Sequence, residues 1–237
     1  MDDLDRPPVK TSPSRLWRLA RLLAFISSAL VAISLAQVAY VRFFNPPFSA
    51  FMVEARFGPG PDFPLELGWT PLAAISPHLV RAILAAEDQR FFQHNGFDWL
   101  ELDRAWEEGR DGGRLRGAST ITMQTARNLF LWPGRSFVRK GLEAWYTMLM
   151  ECLLPKSRIL EIYLNVAEFG PGIWGAPAAS RHYFRLRPSG LNRDQSARLA
   201  IVLPSPRRWS PLTMTRYLLS RKRFVLRHMD RVPLARE

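Results

Sequence analysis

Glu87 and Glu143 are the two carboxylates of this chain that stand among residues able to put them to use. Glu87 opens EDQRFFQHNGFD (87–98), where Asp88, Phe91 and His94 follow it, and Glu143 lies in RKGLEAW (139–145) behind Arg139 and Lys140. Between them, GASTITMQTARN (117–128) carries Ser119, Thr120, Gln124, Arg127 and Asn128, with Arg116 just ahead. All three stretches place charged and hydroxyl side chains where a buried helix would take apolar ones, so they read as the lining of a cleft. Two carboxylates flanking a sugar bond point to glycosyl chemistry. A glycosidase must keep one carboxyl protonated to release an alkoxide, whereas a pyrophosphate leaves without a proton once cations neutralise its charge. Arg116, Arg127, Arg139 and Lys140 gather around the hydroxyls of Ser119 and Thr120, where a helix start offers N–H groups and a positive dipole end. Nearby cations also lower a carboxylate's pKa and favour a base over an acid. The basic cleft therefore favours transfer over hydrolysis.

Each of these residues also has a plainer reading. Glu87 follows the apolar run AILAA and fits a surface or structural glutamate. Glu143, three residues after Lys140 and four after Arg139, fits a surface ion pair worth a few tenths of a kcal/mol. His94 falls two helical turns beyond Glu87 on one face, with Phe91 between, and serves as readily for a helix-end hydrogen bond as for catalysis. His78, His94, His182 and His228 show no ligand spacing with cysteine or with one another, so no metal centre is expected. The single cysteine, Cys152, lies in the apolar run WYTMLMECLL and is expected to be a buried small hydrophobe.

The elements that must hold these residues are mainly helical. Ser76-Pro77 starts a helix that continues through Leu79, Ile83 and Ala86 to a stop near Gly96. A second begins at Ser119 or Thr120 and ends before Trp132-Pro133-Gly134, with Thr120, Gln124, Arg127 and Asn128 on one face. A third spans about Phe137 to Leu154, a fourth Arg158 to Asn165, and Asn192 with Gln195 forms a capping box for a helix through Ile201. Strand character is confined to short pieces between Phe48 and Leu67. Residues 107–116, with Gly109, Gly112 and Gly113, read as a loop beside the cleft, either a mobile flap or an inert surface loop.

Across 237 residues, Lys and Arg outnumber Asp and Glu 33 to 21, a balance of +12 that calls for an anionic partner. From 22 to 41 no residue is charged, which matches the hydrocarbon thickness of a bilayer and predicts one transmembrane anchor. Arg6, Lys10, Arg15, Arg18 and Arg21 precede it, so residues 1–21 form a cytoplasmic tail and everything beyond is exported. Residues 42–75, rich in proline and glycine, read as an extended connector, and 76–237 as the periplasmic domain. Export, together with the lack of aromatic-basic interleaving on a sheet, argues against a nucleic-acid partner. Phe43, Phe44, Phe48, Phe51 and Phe57 serve either the membrane interface or packing against the domain. The basic run from Arg216 to Arg227 is expected to be a solvated helix face rather than a lipid contact.

At these motifs the chain resembles the family 51 glycosyltransferases, the peptidoglycan glycosyltransferase module with a lysozyme-like α fold. The resemblance covers about Leu79 to Pro211. EDQRFFQHNGFD, GASTITMQTARN and RKGLEAW match the first three family motifs. SRILEIYLN with EFGPGIWGAPAASRHYF matches the fourth, and ARLAIVLPSP the last. With little chain beyond them for a transpeptidase domain, the match is to the monofunctional biosynthetic branch of Gram-negative bacteria.

The resemblance implies an enzyme that transfers a lipid-linked glycan strand with inversion onto the 4-hydroxyl of lipid II and releases undecaprenyl pyrophosphate. Glu87 would be the general base and Glu143 the second acidic residue, organising Arg139 and Lys140. Ser119, Thr120, Gln124, Arg127, Asn128, Arg139 and Lys140 would hold the donor's pyrophosphate and sugars, with Arg116 beside them. Asp88, Phe91 and His94 would shape the wall behind the base. Met123 stands where the family commonly has a second Gln, and Arg127 where it commonly has Lys. No tightly bound cofactor is implied beyond a magnesium or manganese ion at the substrate pyrophosphate, and the expected partners are the membrane and cell-division or elongation proteins. The competing classes are a lytic muramidase-like enzyme, which calls for a protonated Glu87 in an apolar pocket, and a membrane-anchored cell-wall scaffold without turnover.

Overall fold

The computed structural model describes residues 15–57, 68–110, 119–134 and 136–234. It is mainly α-helical, in the order α1 (Arg15–Phe43), α2 (Ala50–Phe57), α3 (Pro77–Glu87), α4 (Trp99–Arg110), α5 (Ile121–Phe130), α6 (Phe137–Leu153) and α7 (Lys156–Val166). A two-stranded hairpin, β1 (Glu168–Gly170) and β2 (Ile173–Trp174), then precedes α8 (Gly175–Phe184), α9 (Arg193–Val202) and α10 (Arg216–His228).

α1 is one apolar helix long enough to cross a membrane. At 1.5 Å per residue its 29 residues reach about 43 Å, beyond the roughly 30 Å of hydrocarbon. Its last turns are docked on the domain: Ser34, Val38 and Val41, spaced four and three apart, are buried against α6. Trp145 Nε1 donates to Ser34 Oγ (3.0 Å) and the Tyr146 hydroxyl to Gln37 Oε1 (2.6 Å). Arg158 caps the helix end by donating to the carbonyls of Val41 (2.9 Å) and Phe44 (2.8 Å). Anchor and domain are thus joined by packing well before residue 42.

The region read as an extended connector contains α2, where Ser49 Oγ accepts from Met52 N–H at 3.1 Å as a local cap. A hydroxyl cap outweighs the surrounding prolines there. Phe51 turns inward against the core, while Phe43, Phe44, Phe48 and Phe57 are exposed. Glu161 of α7 ties residues 69 to 72 down by accepting from Trp69 Nε1 and Leu72 N–H.

The core forms where α3 lies along α9 and where α5 is held between α6 and α7. α3 buries Leu79, Val80, Ile83 and Leu84, and α9 answers with Ala197, Leu199, Ala200 and Ile201, a run of small and branched residues that lets the two helices approach closely. The predicted capping box of Asn192 and Gln195 is present. Cys152, expected inside, is exposed, because α6 turns Met150 inward and two residues on points the other way.

Among the described residues the strands fall at 168–174; of the stretch expected to carry strand character, 50–57 form α2 instead and 58–67 lie outside the described residues. Pro171-Gly172 makes the reversal, with Gly172 at φ 71°, as a type II turn requires. The chain re-enters helix at Gly175, whose φ is 79° and where a Cβ would lie 2.6 Å from the Asn165 carbonyl oxygen. Gly175→Ala combines left-handed strain with a backbone clash and is expected to cost roughly 2–3 kcal/mol, read as a fall of about 5–10 °C in melting temperature.

Candidate active site

The site is assembled where the ends of α3, α5 and α7 meet. α3 stops at Glu87, one helical position after its last core residues, and this end places the carboxylate at the rim of the core with its side chain 9% exposed. Gln124 of α5 donates Nε2–H to Glu87 Oε2 at 3.0 Å, and the Tyr163 hydroxyl of α7 donates to Gln124 Oε1 at 2.9 Å. Tyr163 is fully buried, so the relay from Tyr163 through Gln124 to Glu87 is fixed by packing rather than by solvent. The other oxygen of Glu87, Oε1, is buried and has no hydrogen-bond donor among the described residues.

Burial pushes the Glu87 carboxyl above its ordinary value, and Asp88 adds to this. The hydrogen bond from Gln124 and the charges of Arg221 and Arg127 pull the other way without overcoming it. The cations therefore do not hold this carboxylate low, contrary to what their number in the sequence suggests, because removal from water outweighs them. Burial, followed by the charge of Glu87, likewise raises the Tyr163 hydroxyl well above the usual tyrosine range, so it stays a donor.

Asp88 and His94 do not continue α3. The helix ends before them, and the turn through residues 88–98, with a single 3-10 turn at Phe91–Gln93, folds back so that His94 Nε2 meets Asp88 at 2.9 Å. His94 is thus a partner of Asp88 and not a residue two turns along from Glu87. Asp88 Oδ2 also accepts from Ile121 N–H (3.0 Å), the first residue of α5. Thr120 is the N-cap, accepting from Met123 N–H (3.2 Å) and donating to the Gly96 carbonyl (2.6 Å). The start of α5, expected to receive a phosphate, is largely taken up by Asp88 and the Thr120 cap, since an internal carboxylate satisfies the same N–H groups and dipole. Phe91 is fully buried behind the turn, and Ser119 is half-buried just before the cap.

Asp88, His94 and Asp98 bring possible ligand atoms within 4.8 Å of one another. Asp98 Oδ1, however, already takes Arg90 Nη1 (3.0 Å) and Glu101 N–H (3.1 Å), and Asp88 takes His94 and Ile121. A cluster threaded by a guanidinium and amide donors is a hydrogen-bonded brace and does not fit a divalent cation.

The second acid lies on α6, which Ser136 caps at Arg139 N–H. Glu143 is buried to 2% and receives Arg139 Nη1 at 2.8 Å and Lys140 Nζ at 2.6 Å. This is a desolvated ion pair, not the surface pair its i, i+4 spacing permits. Arg139 Nε and, on α5, Arg127 Nε are buried and lack an acceptor among the described residues, and Asn128, next to Arg127 in sequence, is buried. Donors left over in this way are what an incoming phosphate oxygen would satisfy. Arg116 lies outside the described residues, as does most of the expected flap, although 107–110 belong to α4 rather than to a loop.

Arg221, on α10, is a site residue that sequence reasoning misses, because residues 216–227 read as a solvated face. Its Nη2 stands 3.9 Å from Glu87 Oε1. Its signal is periodic: Leu218 and Val225 are buried, and Arg221 lies three residues after one and four before the other.

Residues 63–230 match the transglycosylase family. The chain belongs to the transglycosylase family. A protein of Rhodospirillum centenum called a biosynthetic peptidoglycan transglycosylase is 47% identical over 219 residues, 92% of this chain and 91% of that one. One of the same name from Xanthomonas campestris pv. campestris is 47% identical over 230 residues, covering 95% and 92%. A third, from Pseudomonas entomophila, is 44% identical over 222 residues, covering 92% of both. This transglycosylase is accordingly an enzyme of the peptidoglycan glycosyltransferase class, mainly α, with one N-terminal helix able to anchor it in a membrane.

Proposed function

We propose that this transglycosylase polymerises peptidoglycan glycan strands by inverting transfer of the lipid-linked chain onto the 4-hydroxyl of lipid II. The observation that carries the reading is that Glu87, with one oxygen fixed by Gln124 and the other buried without a hydrogen-bond donor among the described residues, shares the site with Arg127 and Arg139, whose buried Nε groups lack acceptors there and suit a leaving pyrophosphate. A base is more effective as its pKa moves toward the working pH, and burial shifts the Glu87 carboxyl in that direction. Glu87 Oε1 takes the proton from the acceptor's 4-hydroxyl, and the freed oxygen bonds to C1 of the donor sugar from the side opposite the pyrophosphate. The C1–O bond to phosphate breaks, its electron pair leaves with undecaprenyl pyrophosphate, and the proton ends on Glu87.

Arg139, Lys140 and Arg127 neutralise the leaving group, Glu143 holds the first two in place, and Gln124 and Asn128 line the donor side. Asp88, Phe91, His94 and Thr120 brace the turn that carries the base. Magnesium or manganese travelling with the substrate would be held by phosphate oxygens, and no step is routed through it.

The anchor places this chemistry where both lipid-linked substrates are. Arg18 and Arg21 flank the cytoplasmic end of α1, so the N-terminus is cytoplasmic and the domain lies on the periplasmic side of the inner membrane. Because Ser34 to Val41 are docked on α6, the outer face of α6 and the exposed Phe43, Phe44, Phe48, Phe137 and Val138 enter the outer leaflet. Cell-division or elongation proteins are partners consistent with that position.

The direction of transfer is tested with a lipid II analogue epimerised at the acceptor 4-hydroxyl. The analogue alone is expected to give no polymer, while in a mixture with lipid II it serves only as the first donor, so that a strand carries one analogue unit at its non-reducing end and continues to elongate. Strands stopped by a single added analogue unit would show transfer in the opposite direction. Polymer from the epimer alone would exclude the 4-hydroxyl as nucleophile.

A further inference from the structure

Arg221 lies beyond every stretch of sequence that resembles the family motifs, yet it faces the base. α10 packs on α9 and α3 through Leu218 and Val225, and this contact turns Arg221 toward the C-terminal end of α3. Its Nη2 is 3.9 Å from Glu87 Oε1, the oxygen that no donor among the described residues hydrogen-bonds. The guanidinium is steadied from behind: its carbon lies 5.9 Å from the Trp209 ring, and Nη1 reaches the Tyr217 hydroxyl at 3.5 Å. Its Nε is buried without an acceptor among the described residues, and the side chain is 27% exposed. An arginine with one face on an aromatic ring and the other toward a desolvated carboxylate, at a distance short of a hydrogen bond, supplies field without occupying the oxygen's lone pair.

We propose that Arg221 is the positioning residue of the general base, favouring the ionised form of Glu87 and keeping its Oε1 turned toward the acceptor while leaving that oxygen free to take a proton. The proposal rests on Glu87 being the base. The other groups facing Glu87 are Gln124 and Arg127 from α5, Asp88 beside it and Tyr163 from α7, so Arg221 is the contribution of α10 to a site otherwise built from α3, α5 and α7. A cation at this position favours the ionised carboxylate. Its removal must shift the loss of activity at low pH toward higher pH.

The experiment is the pH dependence of kcat/KM for polymerisation of labelled lipid II by the full chain in detergent, for the wild type, Arg221→Gln, Arg221→Lys and Glu87→Gln. Arg221→Gln is expected to move the acid limb up by about one pH unit, a roughly tenfold loss below the limb that is recovered on its alkaline side. Arg221→Lys keeps the charge and is expected to keep the wild-type limb. A uniform loss at every pH, or an unshifted limb in Arg221→Gln, overturns the proposal by assigning Arg221 to folding or substrate contact. A shifted limb in Arg221→Lys overturns it as well, and this variant retains the test if glutamine at 221 prevents folding. If Glu87→Gln retains activity, the base assignment itself fails, whereas an inactive Glu87→Gln beside an unshifted Arg221→Gln sinks the role of Arg221 alone.

Discussion

Glu87→Gln is expected to lower kcat for polymerisation by on the order of 10³-fold while leaving KM for lipid II within about threefold of the wild type. Glutamine keeps the shape and one carbonyl oxygen, so Gln124 can still donate to it, and the relay back to Tyr163 survives. What it cannot do is take a proton. The same substitution is expected to raise stability near neutral pH, because folding then no longer buries a charge that desolvation disfavours. The sign follows from the direction of the shift: a carboxyl raised in the folded state favours folding when protonated and opposes it when ionised. The gain in melting temperature should therefore be largest above the raised pKa and fade as the pH falls through the ordinary glutamate range. A variant that is inactive and less stable would show that Glu87 is a structural residue.

Glu143→Ala should behave in the opposite way on stability. Its removal leaves Arg139, whose side chain is 10% exposed, as a buried charge without its partner, and breaking a buried pair costs about 3 kcal/mol. Lys140, half exposed, relaxes into solvent and adds little. The expected readings are a melting temperature lower by roughly 6–12 °C and a fall in kcat/KM of about 100-fold, because the two cations no longer converge on the leaving group. Unchanged melting with full activity would return Glu143 to the status of an ordinary helix-face pair.

These two glutamates separate what local sequence encodes from what packing adds. Both are legible as residues out of place in apolar surroundings, and the helices that carry Gln124, Arg139 and Glu143 begin and end where their caps and prolines indicate. What periodicity does not show is where a helix gives way to a turn. His94 fits a continued α3 by spacing, but the chain leaves the helix after Glu87 because Asp88 is drawn to the N-terminus of α5, a contact 33 residues away. For the same reason the Thr120 hydroxyl, available to a ligand by its place in the sequence, serves as a cap and a brace for Gly96.

Electrostatic balance depends on packing in a related manner. The count of arginines near Glu87 points to a lowered pKa, but burial depends on how α3, α5 and α7 close around the side chain, which composition does not contain. Arg221 sits 134 positions from Glu87 in sequence, and only the packing of α10 on α3 makes it a neighbour. Docking of α1 on α6 is likewise invisible in the sequence, because Ser34, Val38 and Val41 look like any other residues of an apolar span.

Whether the donor sugar is passed to another sugar or to water decides between a strand polymerase and a lytic enzyme on the same carboxylates. The direct measurement is to incubate the full chain in detergent with labelled lipid II, and to follow both the saccharide and the undecaprenyl pyrophosphate released. Muramidase-digestible polymer, formed in step with the released pyrophosphate and absent with Glu87→Gln, is the predicted result. Free disaccharide in place of polymer, or polymer formed equally well by Glu87→Gln, would contradict it.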